Sequence, residues 1–173
     1  MDPESILVTN LTEALQQLQR YLVWSFTASM LFLVLAILQP AEVNLPTDVI
    51  PLPIPLQGAI AILIPAYWIS GALASFSLGR AKRIIFMLGD KKDLLAAALT
   101  YPSIPTTRVH GPRIVLAIAP AVFVVIGLVL LFGSRLLSFW SIIAVLLLVI
   151  PHIGLAVLLR KAVGGGVPDY YGD

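Results

Sequence analysis

A basic segment, residues 80–113, divides this chain into two apolar halves and constrains its fold more than any other feature. It holds seven of the eleven Lys and Arg residues of the 173-residue sequence, and two long apolar runs lie on each side of it. Charged residues make up only 12% of the sequence, whereas a typical soluble domain has about 25%. The sequence therefore predicts an integral membrane protein.

Four apolar runs are long enough to cross a bilayer, since a helix of about 20 apolar residues spans roughly 30 Å of hydrocarbon. The predicted spans are residues 21–38, 58–79, 114–132 and 136–159. Residues 133–135 form a tight turn between the last two spans, and residues 160–173 form a tail. The predicted fold class is an all-α integral membrane protein whose four transmembrane helices form two antiparallel hairpins.

The segments that flank the first span have different patterns. Residues 1–20 place leucines at helical spacing opposite Glu and Gln, which predicts an amphipathic helix that lies along the headgroups or docks on a partner. Residues 39–57 contain five prolines and no basic residue. The alternation of proline with Leu or Ile from Pro51 to Pro55 excludes a regular helix and favours an extended, polyproline-type path on the extracytoplasmic side.

Two short amphipathic helices are expected within the basic segment. The first continues from the second span to a stop at Gly89, and the second runs from Lys91 to about Leu99. The cations of this segment are assigned to contacts with anionic headgroups or with a partner. They are Arg80, Lys82, Arg83, Lys91, Lys92, Arg108 and Arg113.

The distribution of basic residues predicts the orientation. With both termini in the cytoplasm, ten of the eleven basic residues lie inside and only Arg135 lies outside. The positive-inside rule holds best for short loops such as these. We therefore expect a multi-pass protein with cytoplasmic N- and C-termini, in a bacterial or archaeal inner membrane.

The second span carries a candidate packing surface. Gly71, Ser75 and Gly79 recur every four residues and form a ridge of small side chains that another helix backbone could approach. Tyr67 and Trp68 lie well inside the span, which predicts packing between helices rather than an interfacial position. The spacing does not indicate whether the ridge packs against a helix of this chain, a second copy or a different protein.

His152 is the one side chain inside a predicted span that could carry special chemistry, because ionisable groups in membranes are often functional. It follows Pro151 in the half of the bilayer that faces the basic segment. A hydrogen bond to a serine, a threonine or a proline-freed carbonyl is the structural interpretation. The alternatives are axial ligation of a pigment or haem, and a gating or proton-linked role. No other cofactor is predicted, and the sequence leaves metal binding open.

The sequence lacks the features of an enzyme or an ion-coupled carrier. No Asp or Glu lies in a predicted span, and no nucleophile, metal cluster or acid–base constellation is visible. The predicted function is a non-catalytic accessory, scaffold or assembly subunit of a larger membrane complex. Its partners would be lipid and other membrane subunits or copies of itself, and not nucleic acid. The alternatives are a homo-oligomeric channel or membrane-perturbing protein, and a pigment- or haem-binding subunit through His152.

Overall fold

The computed structural model describes residues 3–45, 52–88, 110–133, 136 and 138–164. This part of the chain contains four helices and one small sheet. In chain order the elements are α1 (Pro3–Leu38), β1 (Glu42–Leu45), β2 (Leu52–Pro55), α2 (Leu56–Leu88), α3 (His110–Phe132) and α4 (Phe139–Gly164). The predicted connector helix at residues 91–99 lies outside the described residues, as does the tail beyond Gly164.

Three helices contain stretches long and apolar enough to cross a membrane, which indicates an integral membrane protein. These stretches are Ser5–Leu38, Leu56–Leu88 and Trp140–Val157. In α3 the described apolar stretch, Ala117–Phe132, is shorter, so a fourth span there stays a prediction. After α3, Gly133 has a φ of 52°, a left-handed conformation that glycine adopts at little cost and that ends the helix.

Buried side chains recur with a seven-residue repeat along both α1 and α2. α1 is one continuous helix of 36 residues, about 54 Å long at 1.5 Å per residue. Eight of its buried positions alternate at spacings of four and three: Leu11, Leu15, Leu18, Leu22, Ser25, Ser29, Phe32 and Ala36. α2 repeats the pattern with Tyr67, Ser70, Ala74, Ser77, Ala81, Ile84 and Leu88. This spacing is the one that packs helices side by side in left-handed coiled coils.

The N-terminal amphipathic segment packs on another helix of the same chain. It is continuous with the first span in α1, and its apolar face is covered by the end of α2. The contacting side chains are Leu11, Ala14 and Leu15 of α1 and Ala81, Ile84 and Leu88 of α2. α2 can cover this face because it continues past the predicted second span to Leu88, one residue before the predicted stop at Gly89.

The four helices form a bundle in which each packs extensively on two others. α1 contacts α2 and α3, and α4 contacts the same two helices. α1 and α4 therefore lie diagonally across the bundle. One apolar cluster joins all four helices through Leu18, Ala74, Ala117 and Leu155, among others. The bundle interior between α1 and α4 is where the candidate site lies.

The two ends of the proline-rich loop form a small β-hairpin, which the sequence did not predict, in a described chain that is otherwise mainly helical as expected. β1 and β2 pair antiparallel, with Val43 opposite Ile54. The Leu56 N–H donates to the Ala41 carbonyl over 3.4 Å, so alternate residues of β2 face β1 and the prolines between them do not. Prolines at these positions remove no ladder hydrogen bond and leave the outer edge of β2 short of donors. The extended path was predicted, but its pairing with β1 was not.

Candidate functional site

His152 lies in the bundle interior with 1% of its surface exposed. It extends from α4, directly after Pro151, towards the diagonal helix α1. Its Nε2 atom and the Oγ atom of Ser25 share a hydrogen bond of 2.6 Å. The imidazole therefore links two helices that are not neighbours in the bundle.

α2 packs against the imidazole through two residues. The Tyr67 ring stacks on it with 4.3 Å between centroids and 5° between planes. Gly71 supplies the space that the ring needs, since a Cβ at this position would lie 2.8 Å from Nδ1 and 2.9 Å from Nε2 of His152. The position and orientation of the imidazole are thus set by Ser25 of α1 and by Tyr67 and Gly71 of α2.

Two buried polar atoms of this cluster lack a hydrogen-bond partner among the described residues. His152 Nδ1 and Tyr67 Oη are inaccessible to solvent and have no hydrogen-bond partner among the described residues. Most buried polar atoms in proteins are paired, and an unpaired one costs about 1–3 kcal/mol. The cluster is therefore less stable than its packing alone would make it.

α2 also donates side-chain hydrogen bonds to backbone carbonyls near the proline of α4. Pro151 has no N–H, so the carbonyl of Leu147 loses its usual helical donor. The Trp68 Nε1–H donates to this carbonyl over 3.2 Å. One turn further on, the Ser75 hydroxyl donates to the Pro151 carbonyl over 3.0 Å. Both bonds fix α4 against α2 next to His152, as expected when neighbouring helices satisfy groups freed by proline.

Four of the five predicted packing residues contact α4. Tyr67 and Gly71 pack on His152, and Trp68 and Ser75 donate hydrogen bonds to α4 carbonyls. Gly79 is different, since nothing in the described part of the chain lies within 4 Å of a Cβ built on it. For Gly71 and Ser75, the packing partner that the sequence left open is therefore α4 of the same chain.

The predicted cationic residues are spread along the helix ends and beyond the described ranges. The Arg80 guanidinium is half-buried and donates to Asn10 Oδ1 over a long 3.5 Å contact with α1. Lys82 and Arg83 are exposed, and Arg113 lies in the first turn of α3. Lys91, Lys92 and Arg108 lie outside the described residues.

Two contacts of the bundle were missed from the sequence. Ser25 was not singled out as the partner of His152, although it continues the seven-residue spacing from Leu11 and Leu18, which marks it as an interior position. Gly127 was not singled out either, and a Cβ on it would lie 2.9 Å from Cδ1 of Phe32. No spacing within α3 pointed to that contact, because it depends on a side chain of α1.

A groove of about 600 Å³ lies between α3 and α4. Its ten lining residues are aliphatic except for His152, whose Nε2 is directed away to Ser25. Ala121 and Ala156 form the narrow base of the groove, between larger side chains of both helices. A second hollow of about 190 Å³ lies further along the same two helices and shares Val125 with the first.

Within the described ranges, no group of three or more His, Cys, Asp or Glu side chains could hold a metal ion. The chain matches no protein-family model, no curated protein and no solved structure.

Proposed function

We propose that this chain is a non-catalytic accessory, scaffold or assembly subunit of a larger membrane complex. The supporting observation is that five polar side chains of the apolar helices are buried in the bundle interior. Each of them is at most 4% exposed: Ser25, Ser29, Ser70, Ser77 and His152. The outer faces of the helices carry large aliphatic and aromatic side chains instead, which suit contact with lipid or with apolar helices of another subunit.

The contacts of His152 support a structural role rather than catalysis. A general base needs access to a substrate proton, whereas Nε2 here is occupied by Ser25 and the ring is packed between Tyr67 and Gly71. These contacts hold α1, α2 and α4 together. The functional surface of such a bundle is its exterior.

The outer face of α4 is the surface we propose for a partner subunit. Only 11% of the 18-residue Trp140–Val157 stretch is buried among the described residues, against 33% and 28% of 18-residue apolar windows of α1 and α2. The side chains of Leu147 and Ile150 and the Gly154 position lie at helical spacing on one side of α4, and all three residues are exposed. The glycine would let a partner backbone approach closely, as small residues do between membrane helices.

Native mass spectrometry after extraction in a mild detergent tests this proposal. Unlike subunits should copurify in fixed stoichiometry with the wild-type chain, and Gly154→Leu should reduce their retention. The matched control is Leu31→Phe, a bulky change on the exposed face of α1. A ring of identical chains, or equal retention by both variants, would contradict the accessory role of α4.

The same proposal includes the finer topology. We propose four spans as two antiparallel hairpins, with both termini cytoplasmic in a bacterial or archaeal inner membrane. The extensive α1–α2 and α3–α4 contacts support the hairpins, and the ten basic residues on one side support the orientation. A reporter fused after Asp173 should be active only in the cytoplasm. Activity on the other side would reverse the orientation.

A homo-oligomeric channel or membrane-perturbing protein is the second candidate. A pore between copies would need polar groups on the outer faces, whereas Ser25, Ser29, Ser70 and Ser77 are directed into the bundle of a single chain. This favours the accessory role. Ion flux in reconstituted vesicles, with a defined number of identical chains per particle, would favour the channel instead.

Pigment or haem binding through His152 is the third candidate. An axial ligand must present a ring nitrogen to an open face, but Nε2 is bonded to Ser25 and Nδ1 is buried. These contacts favour a protein without a cofactor at this position. A visible absorbance band that is present in the wild-type preparation and lost in His152→Ala would overturn this view.

A further inference from the structure

We infer that the groove between α3 and α4 binds the acyl chain of an anionic phospholipid from the leaflet next to the basic segment. This goes beyond the accessory role, because it requires no partner subunit. It also uses a different side of α4 from the face of Leu147, Ile150 and Gly154.

The groove has the shape of a preformed apolar site. Its base is made by Ala121, which is 6% exposed, and by Ala156. Branched side chains rise on both sides, with Val122 on α3 and Ile153 on α4 partly exposed. Side chains branched at Cβ have few rotamers, so the walls resist collapse into the groove. Its volume of about 600 Å³ is within the range of sites that bind lipophilic molecules, roughly 300–1,000 Å³.

The length of the groove fits a lipid tail better than a transmembrane helix. The lining residues extend from Ile118 to Ile126 on α3 and from Val149 to Val157 on α4. Eight residue steps correspond to about 12 Å along a helix. One leaflet contributes about half of the roughly 30 Å hydrocarbon thickness, so the groove covers one leaflet and not the whole membrane. A partner helix would need a longer surface.

Charge identifies the leaflet and the class of headgroup. The groove ends five residues after Arg113 of α3 and three residues before Arg160 of α4, and Lys161 follows. All three cations thus belong to helix ends beyond the same end of the groove. The sequence from residue 110 to residue 164 contains no Asp or Glu that could neutralise them. Basic residues at a membrane surface favour anionic lipid. An anionic headgroup bound at this level would place its acyl chain along the groove.

The test is lipid titration of the delipidated full-length chain, followed by native mass spectrometry. Phosphatidylglycerol and phosphatidylcholine with the same acyl chains are compared. We expect phosphatidylglycerol to bind more tightly, and Arg160→Gln with Lys161→Gln to weaken its binding on the order of tenfold or more. Ala156→Leu fills the base of the groove and should remove the bound lipid, whereas Leu31→Phe on the exposed face of α1 should not.

Several outcomes would overturn the inference. Equal binding of the two lipids would mean ordinary contact with the bilayer, and displacement of phosphatidylglycerol by inorganic phosphate would mean a headgroup site without use of the groove. Ile153→Trp at the rim is the second variant, in case Ala156→Leu does not fold. Full lipid retention by Ile153→Trp, with helical content equal to that of the wild type by circular dichroism, would exclude the groove as the site.

Discussion

Replacing Gly71 by alanine tests how closely α2 packs against His152. The new Cβ would lie 2.8 Å from Nδ1 and 2.9 Å from Nε2 of the imidazole, well inside the optimal separation of about 3.5–4.0 Å between non-bonded atoms. The ring cannot move away freely, because its Nε2 is bonded to Ser25 and its face is stacked on Tyr67. The substitution must therefore disturb at least one of these two contacts.

Two opposing effects determine the size of the change. Alanine is favoured over glycine in a helix by about 0.8–1.0 kcal/mol. Loss of the hydrogen bond costs about 0.5–1.5 kcal/mol, and loss of the ring stack costs about 0.5–1.5 kcal/mol. Together these losses agree with the usual overpacking cost of about 1–3 kcal/mol. We expect Gly71→Ala to lower the free energy of unfolding by up to about 2 kcal/mol.

Gly79→Ala is the matched control on the same helix. The described residues leave the space around its Cβ open, so only the helix propensity changes and stability should rise by about 0.8–1.0 kcal/mol. The two alanine variants should thus differ by about 1–3 kcal/mol. The free energy of unfolding is measured by titrating a denaturing detergent into mixed micelles and following tryptophan fluorescence.

Equal stability of the two alanine variants would refute the close packing of His152 against Gly71. The cause can be assigned with a double-mutant cycle. If the imidazole is the clashing group, then Gly71→Ala should cost nothing in a His152→Ala background. A persistent cost in that background would place the clash elsewhere.

Three further substitutions test the same cluster by the same titration. Tyr67→Phe removes a buried hydroxyl that lacks a partner among the described residues, so stability should rise by about 1–3 kcal/mol. A clear loss of stability would mean that the hydroxyl is paired. Ser25→Ala leaves His152 Nε2 buried without its hydrogen bond and should cost about 1–3 kcal/mol, and a neutral result would contradict that bond. Trp68→Phe keeps a ring but removes the donor to the Leu147 carbonyl; a cost of about 0.5–1.5 kcal/mol is expected, with faster amide hydrogen exchange in α4 than in the wild type.

Sequence reasoning could identify faces of helices but not what covers them. The leucines of residues 1–20 define an apolar stripe, and such a stripe has the same spacing whether it meets lipid or another helix. The choice depends on the end of α2, where Ala81, Ile84 and Leu88 supply a matching stripe. Contacts between elements far apart in sequence leave no signature in the periodicity of either element alone.

The proline-rich loop shows the same limit. The alternation of prolines excluded helix because proline fixes φ and lacks an N–H, and this local property was read correctly as an extended path. Whether an extended segment pairs depends on a second segment, here Glu42–Leu45, whose sequence carried no strong strand signal. The partner of β2 was therefore not predictable from the loop itself.

The candidate site was partly predictable for the same reason. An ionisable side chain in an apolar span requires a polar contact, so a hydrogen bond at His152 followed from chemistry. The identity of Ser25 required knowing that α1 and α4 face each other diagonally. The groove between α3 and α4 was not foreseen, because its shape depends on small residues of two helices lying at the same depth.

The uninterrupted repeat along α1 connects its N-terminal contacts with α2 to the site at Ser25 mechanically. Leu11 and Leu15 pack against α2 about three to four helical turns before Ser25 reaches His152. Side chains that interlock in such a repeat resist continuous sliding of one helix past the other. Because α2 also packs against His152 through Tyr67 and Gly71, a change in the leucine contacts would alter the level at which Ser25 meets His152.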